Sequence, residues 1–194
     1  QFMQDFSTTV LVATPSYALY LAEAIQASGT PEAFRLRLGL FGAEACSEEM
    51  RRQIESRIPI RATDNYGLTE VMGPGISGEC VCRAGMHVAE DHFIVEVVDP
   101  ASGEPVPEGE VGELVFTSIT RECSPVLRYR TRDLCTLTTE RCECGRTLAR
   151  MGRIVGRTDD MFIISGVNIF PSAVERVLFS IEGIEPHYQI VLRR

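Results

Sequence analysis

Leu36-Arg37-Leu38-Gly39-Leu40-Phe41-Gly42-Ala43-Glu44, followed by Ser47-Glu48-Glu49 and then by Ile58-Pro59-Ile60-Arg61, decides the fold class of this chain. Leu36, Leu38 and Leu40 alternate with Arg35 and Arg37, the period of two that marks a short strand, and Gly42-Ala43-Glu44 breaks it. Ser47 suits a helix N-cap, and Glu48 and Glu49 put negative charge at the positive end of the helix dipole. A second strand is expected around Ile58 to Arg61. Strand, turn, helix and strand in that order make a βαβ unit, so the expected class is α/β with a mainly parallel sheet. Upstream, Thr14-Pro15 opens a capped amphipathic helix with Ala18, Leu21, Ala22 and Ile25 on one face, stopped at Gly29.

Beyond about Gly73 the texture turns to glycine, proline and short β-rich runs: His92 to Val98, Val111 to Ile119, Val126 to Tyr129 and Leu134 to Leu137. These read as an antiparallel β-subdomain, with Asp99 to Gly103 supplying turn residues between the first two runs. Met161 to Ile164, a helix from Ser172 to Phe179 and a terminal strand read as the opening β-α-β of a further domain. The expected organisation is therefore 1–72 α/β, 73–158 β-rich and 159–194 the start of a small α+β domain. Gln1 at the start and Ile190-Val191-Leu192-Arg193-Arg194 at the end give the expectation that both ends are cut.

With 194 residues, 44% hydrophobic and 24% charged, the chain can bury a real core. Its net charge of -8 argues against a nucleic-acid backbone as partner, because neutralising phosphates needs a positive surface. No run approaches the roughly 18 consecutive apolar residues of a membrane span, and no basic flank with an apolar signal core opens the chain. No membrane partner is expected, and the cytoplasm is the expected location. All 19 basic residues are arginine, so no lysine is present for a Walker-type phosphate loop, a Schiff base or a general base.

Asp64-Asn65-Tyr66-Gly67-Leu68-Thr69-Glu70 follows the second expected strand, where an open α/β sheet presents its ligand crevice. The Tyr66 ring offers a stacking face, Gly67 permits close backbone approach, and Thr69 and Glu70 can serve phosphate and Mg²⁺. A polar turn is the competing reading. Two later strings, Arg128-Tyr129-Arg130-Thr131-Arg132-Asp133 and Gly156-Arg157-Thr158-Asp159-Asp160 running on to Gly166-Val167-Asn168-Ile169-Phe170-Pro171, follow in order. The three together resemble the core motifs of the adenylate-forming enzymes. Within that superfamily the chain resembles the phenylacetate-CoA ligase family, because Arg132 stands where most of the superfamily has glycine. Gly42-Ala43-Glu44, Glu90-Asp91-His92-Phe93 and Asn168-Ile169-Phe170-Pro171-Ser172 match the same branch, and Ala89 departs from it where a tryptophan is common. The resemblance covers essentially the whole chain and implies a partial adenylate-forming enzyme fold.

Carried onto these residues, the resemblance implies that Gly42, Ala43 and Glu44 wall an adenine pocket, with Tyr66, flanked by Asn65 and Gly67, against the base. Thr69 would contact the α-phosphate and Glu70 would hold Mg²⁺, which makes these two the catalytic candidates. Asp133 would accept from the ribose diol and Arg157 would lie near ribose and phosphate, tasks suited to a two-oxygen acceptor and a permanently charged fork. Asp159 corresponds to a domain hinge, and Gly166 to the passage of the pantetheine arm of coenzyme A. Tyr17 is a candidate wall of the acyl-acid pocket or simply a helix-face aromatic. A turn cap is the plain alternative for Asp133, and a loop salt bridge for Asp159.

The implied reaction joins a carboxylate to MgATP, giving acyl-AMP and pyrophosphate, after which the thiol of CoA displaces AMP. The implied acid is aryl or arylacetic, phenylacetate first. The family also needs a glycine-rich phosphate loop and a catalytic lysine that this chain lacks, so the chain alone is not expected to adenylate. An adenylation domain serving a carrier protein and a non-enzymatic zinc-stapled binding module are the other two function classes. Pairing into a homodimer stays open, since family members often pair.

Seven cysteines in an expected cytosolic protein are read as reduced. Cys142-Glu143-Cys144-Gly145 is a tight turn, and Cys80 and Cys82 precede His87 on another loop. Thiolates plus imidazole in a set of four suit a structural zinc site, here Cys80, His87, Cys142 and Cys144, with Cys82 as substitute for Cys80; free thiols on turns are the alternative. Cys46, Cys123 and Cys135 are expected as small buried hydrophobes, and His92 as a packing or hydrogen-bonding residue.

Overall fold

Two βαβ units open the chain. In the computed structural model, which describes residues 1–164, 167–178, 181 and 189–191, a short helix α1 (Phe2–Asp5) is followed by β1 (Val10–Ala13), α2 (Pro15–Ala27), β2 (Leu38–Phe41), α3 (Glu48–Arg57) and β3 (Arg61–Leu68). Thr14 caps α2 by accepting from the Tyr17 amide, and Ser47 caps α3 by accepting from the Met50 amide, as their side chains dictate. β1, β2 and β3 pair in parallel, with Val10 opposite Leu38 and Leu38 opposite Arg61. Ala18, Leu19, Ala22 and Ile25 of α2 and Met50 and Ile54 of α3 form one core with Phe41 and Ala62 of the sheet.

The strand expected at Ile58 to Arg61 lies further on. Pro59 has no amide to give to a ladder, so pairing begins at Arg61 and the Asp64 to Leu68 motif sits on the strand instead of after it. β4 (Met72–Glu79) then pairs antiparallel to β3 and carries the sheet on through β5 (Met86–Val88) and the short strands β9 (Leu137–Thr138) and β10 (Arg150–Met151). The order is β1-β2-β3-β4-β5-β10-β9, continuous across residue 72.

A second sheet is built from β6 (Phe93–Val98), β7 (Gly112–Ser118), β8 (Tyr129–Cys135) and β11 (Gly156–Arg157), in the order β11-β8-β7-β6. Val71, Ile76 and Val88 from the first sheet side meet Phe93, Leu114, Phe116 and Cys135 from the second in a separate core. The runs Val126 to Tyr129 and Leu134 to Leu137, expected as two strands, give way to the single strand β8 that spans the gap between them, followed by β9. Its period of two is written in polar residues: Arg130 and Arg132 are exposed while Thr131 and Asp133 are buried with partners. β12 (Phe162–Ile164) and β13 (Val167–Ile169) pair antiparallel, and α4 (Pro171–Leu178) follows, close to the helix expected from Ser172. Residues 189–191 are not in a strand, and 192–194 of the expected terminal strand lie outside the described residues.

One buried cation ties the two halves of the first sheet together. Arg51, 1% exposed, projects from α3; its Nη2 donates to both carboxylate oxygens of Glu79 on β4, at 3.1 and 2.9 Å, and lies 3.0 Å from Asp64 Oδ2 on β3. Glu79 Oε2 also accepts from the Asp64 amide at 2.9 Å, and Arg153 Nε approaches Asp64 Oδ2 at 3.2 Å. Burial works against the Arg51 charge, but the Glu79 hydrogen bond and the Asp64 and Glu79 charges outweigh it. Replacing Arg51 by methionine leaves the buried Glu79 carboxylate without a cation and Asp64 with Arg153 in place of two arginines, so R51M is expected to lose about 3 kcal/mol or more of unfolding free energy in urea titrations. Arg52, exposed and paired among the described residues with Glu49, is expected to change stability by less than about 1 kcal/mol in R52A, and equal losses for both variants would sink the claim.

Candidate functional site

The Gly42-Ala43-Glu44 loop leaves β2 and rests on β3 at Asn65. A Cβ on Gly42 would stand 2.3 Å from the Asn65 carbonyl oxygen, so loop and strand meet backbone to backbone. Ala43 takes a left-handed conformation, φ 66°, and Glu44 Oε2 accepts from the Ser16 amide at 3.2 Å, in the first turn of α2. Gly42, Ala43, Glu44 and Asn65 thus share one patch. Tyr17 is on the same turn of α2, 56% exposed, with its ring beside that of Tyr20 at 6.1 Å.

Tyr66 reaches from the first sheet to the second. Its hydroxyl donates to Asp133 Oδ2 at 2.6 Å, and its ring lies against Phe116 at 6.2 Å with 28° between the planes. Asp133 Oδ1 accepts from Arg157 Nη1 at 3.0 Å, across the β8–β11 pairing that sets the two residues opposite each other. Arg157 then grips Asp159, Nε to Oδ1 and Nη2 to Oδ2, both at 2.9 Å. Tyr66, Asp133, Arg157 and Asp159 form one continuous polar line. Burial raises the Asp133 carboxyl above its usual range despite the Tyr66 hydrogen bond and the Arg157 charge, while the Arg157 hydrogen bond holds Asp159 below it. Burial and the Asp133 charge push the Tyr66 phenol up, so it stays a donor. Asp133 lies within a strand and is not a turn cap; Asp159 does sit in a salt bridge.

Thr69 and Glu70 are exposed in the turn between β3 and β4, where Arg121 Nη1 donates to the carbonyls of Glu70 and Val71 at 2.8 and 2.6 Å. A Cβ on Gly67 would come within 2.8 Å of the Met72 carbonyl oxygen and 2.9 Å of the Gly75 nitrogen, so the close backbone approach at this glycine is made by β4. Arg132, the residue standing in a common glycine position, has φ 70°, and its amide donates to Glu113 Oε1 at 3.2 Å. That left-handed backbone is the physical reason glycine is favoured there. Gly166 lies outside the described residues. Sequence reasoning missed Arg51, Glu79, Arg153 and Arg121; the one signal was a charged Arg51 on the apolar face of α3 beside Met50 and Ile54.

The expected cysteine set does converge. Cys80 follows β4, His87 is on β5, and Cys142 and Cys144 lie between β9 and β10, their ligand atoms all within 4.8 Å of one another. Cys80 Sγ is 3.7 Å from Cys142 Sγ, and Cys144 Sγ is 3.5 Å from His87 Nε2. A tetrahedral zinc would separate two sulfurs by about 3.8 Å and sulfur from nitrogen by about 3.6 Å, so the donors fit that ion. Cys82 is not in the group; its amide donates to Cys80 Sγ at 3.3 Å. Burial raises the Cys80 thiol, but the Cys82 amide and hydrogen bonds with His87, Cys144 and Cys142 bring it down to about 6, in the thiolate range of a metal ligand. Burial pushes Cys46 and Cys135 up to about 12, as inert buried thiols, whereas Cys123, expected to be buried, is exposed in the loop before β8. His92 hydrogen-bonds Thr120 Oγ1 through Nδ1 at 2.8 Å.

The sequence model of the AMP-binding enzyme family matches residues 1–120, and that of the AMP-binding enzyme C-terminal domain matches residues 166–194. Phenylacetate-coenzyme A ligase of Thermus thermophilus is 54% identical over 99% of this chain, and that of Escherichia coli 47% identical over 100% of it. The chain spans 44% of the length of either relative. A crystal structure of 2-hydroxyisobutyryl-CoA ligase in the postadenylation state, in complex with an acyl-AMP, superposes with a TM-score of 0.87 at 30% identity, over 96% of this chain and 40% of that one. Among the described residues no helix is long and apolar enough to cross a membrane. Because Gly42 has no room for a Cβ against Asn65, G42A is expected to cost about 1–3 kcal/mol in thermal unfolding, and a neutral variant would show that the loop does not rest on β3.

Proposed function

This chain belongs to the AMP-binding enzyme family, and on that premise we propose that it supplies the adenosine-holding and hinge portion of an ATP-dependent acid:CoA ligase. The observation that carries the proposal is the polar line from Tyr66 through Asp133 and Arg157 to Asp159, lying beyond the patch of Gly42, Ala43, Glu44 and Asn65. In this reading the adenine base lies between the Tyr66 ring and the 42–44 loop. Asp133 accepts from the ribose diol, for which it must be ionised, and Arg157 beside it stabilises that charge. Thr69 and Glu70, in the turn held by Arg121, face the α-phosphate and carry Mg²⁺, which when bound neutralises phosphate charge. Positioning and neutralisation let the two anions, carboxylate and nucleotide, meet.

The acid is proposed to be aryl or arylacetic, phenylacetate first, in keeping with the names of the relatives, with Tyr17 toward the acyl pocket. Asp159 would act as the hinge between a large portion, α/β over 1–72 and β-rich over 73–158, and a small domain from 159. Gly166 would then pass the pantetheine arm of CoA. The phosphate loop and a catalytic lysine would come from outside this chain, which has neither. A cytoplasmic setting fits the reduced cysteines.

The four-residue cluster is proposed to hold a structural zinc. The loop carrying Cys142 and Cys144 has few backbone bonds of its own, among them Gly145 to Cys142 at 2.9 Å, so a metal would pin it to β4 and β5.

Two outcomes are expected. In the full-length protein carrying this chain, ATP–pyrophosphate exchange should depend on an aryl acid, and D133N should lower kcat/KM for ATP by about 10- to 100-fold with folding intact; no exchange with any acid would sink the ligase reading. Metal analysis should find about one zinc per chain, lost in C80S and C144S but kept in C82S. Less than about half an equivalent in the unmodified protein would rule out the four-ligand set.

A further inference from the structure

The hydroxyl of Tyr66 has a task that its ring does not explain. Tyr66 stands on β3, in the seven-stranded sheet, and its acceptor Asp133 stands on β8, in the four-stranded sheet, so the 2.6 Å bond spans two separate layers. The ring has little freedom, because Phe116 backs it at 6.2 Å and Phe93 meets Phe116 edge-on at 6.1 Å. The distance is in the range of a charge-assisted O–H···O⁻ bond.

The backbone of Asp133 is already held without Tyr66: its amide donates to Thr131 Oγ1 at 3.1 Å, Thr131 Oγ1 donates to the Leu114 carbonyl at 2.9 Å, and β11 pairs alongside. What these contacts leave loose is the rotation of the carboxylate about its last torsion, which is broad for aspartate. Arg157 holds Oδ1 alone, at 3.0 Å, its other two nitrogens being taken by Asp159. Oδ2 is fixed by the Tyr66 phenol.

We propose that Tyr66 is a positioning residue for the ribose: its hydroxyl locks the Asp133 carboxylate so that both oxygens face the two vicinal hydroxyls of a ribonucleotide. The carboxylate offers about four acceptor positions, and Tyr66 and Arg157 use one on each oxygen. One position per oxygen is left, the arrangement a vicinal diol requires. Without the phenol, Oδ2 turns toward water or the Arg157 fork, and one of the two diol bonds is lost. This inference rests on the nucleotide reading of the site, and it separates two functions of one side chain: the ring faces the base, and the hydroxyl acts on the sugar through Asp133.

The test is isothermal titration of the full-length protein carrying this chain, and of its Y66F variant, with MgATP and with the 2′,3′-dideoxy analogue of ATP, alongside thermal unfolding of both proteins. The unmodified protein is expected to prefer ATP over the dideoxy analogue. Y66F is expected to bind ATP about tenfold more weakly and the dideoxy analogue unchanged, since it keeps the ring and loses one bond to a charged acceptor. Should Y66F bind ATP as well as the unmodified protein, or lose both nucleotides equally together with its melting temperature, Tyr66 is a structural tie between sheets and the inference is overturned while the nucleotide site stands. Should the unmodified protein fail to bind ATP, or bind both nucleotides alike, the Asp133 ribose reading fails first and takes this inference with it.

Discussion

The guanidinium of Arg51 is the constraint on which the rest of the architecture depends. It is a permanent charge, 1% exposed, and it is tolerated there only because Glu79 and Asp64 surround it. Those acids belong to adjacent strands that leave the parallel and enter the antiparallel half of one sheet, so the ion network specifies how α3 docks and where the β3–β4 hairpin lies. Asp64 immediately precedes Asn65-Tyr66-Gly67. Whatever Tyr66 does at the site, it does from a strand whose preceding residue is anchored by this buried charge.

From that anchor, the molecule builds each of its chemical centres by bringing separate layers together. Tyr66 comes from the first sheet, while Asp133 and Arg157 come from β8 and β11 of the second. The cysteine cluster repeats the device within one sheet: β4 and β5 bring Cys80 and His87, and the loop between β9 and β10 brings Cys142 and Cys144. Arginine serves as the only basic side chain throughout. Its fork suits these places, since Arg51 and Arg157 each hold more than one carboxylate at once.

Gly42 and Gly67 mark where two backbone segments crowd. Gly42 is required by the Asn65 carbonyl, and Gly67 by the backbone of β4. Arg132 occupies a left-handed position at the cost of about 1–2 kcal/mol. The alternation along β8 then hides Thr131 and Asp133 and exposes Arg130 and Arg132. A motif whose charged residues suggest a loop is therefore a strand, because each buried polar group in it has a partner across the sheet.

Local signals carried much of this in the sequence itself. The Thr14 and Ser47 caps, the alternating leucines of β2 and the βαβ order are short-range physics, so they determined both helices and the α/β class without tertiary context. The cysteine spacing and the ordered motifs likewise marked Cys80, His87, Cys142, Cys144, Tyr66, Asp133 and Arg157 as residues to watch. Tertiary structure alone decided the remainder. β4 carries Gly73-Pro74-Gly75 and has no strand propensity; it forms because pairing with β3 and the Glu79–Arg51 bond outweigh local preference. Cys80 was separated from Cys82 only by where β4 ends, and the Tyr66–Asp133 bond exists only because two sheets face each other. Burial, pairing between distant segments and the orientation of a carboxylate are properties of the packed chain, and no spacing along the sequence encodes them.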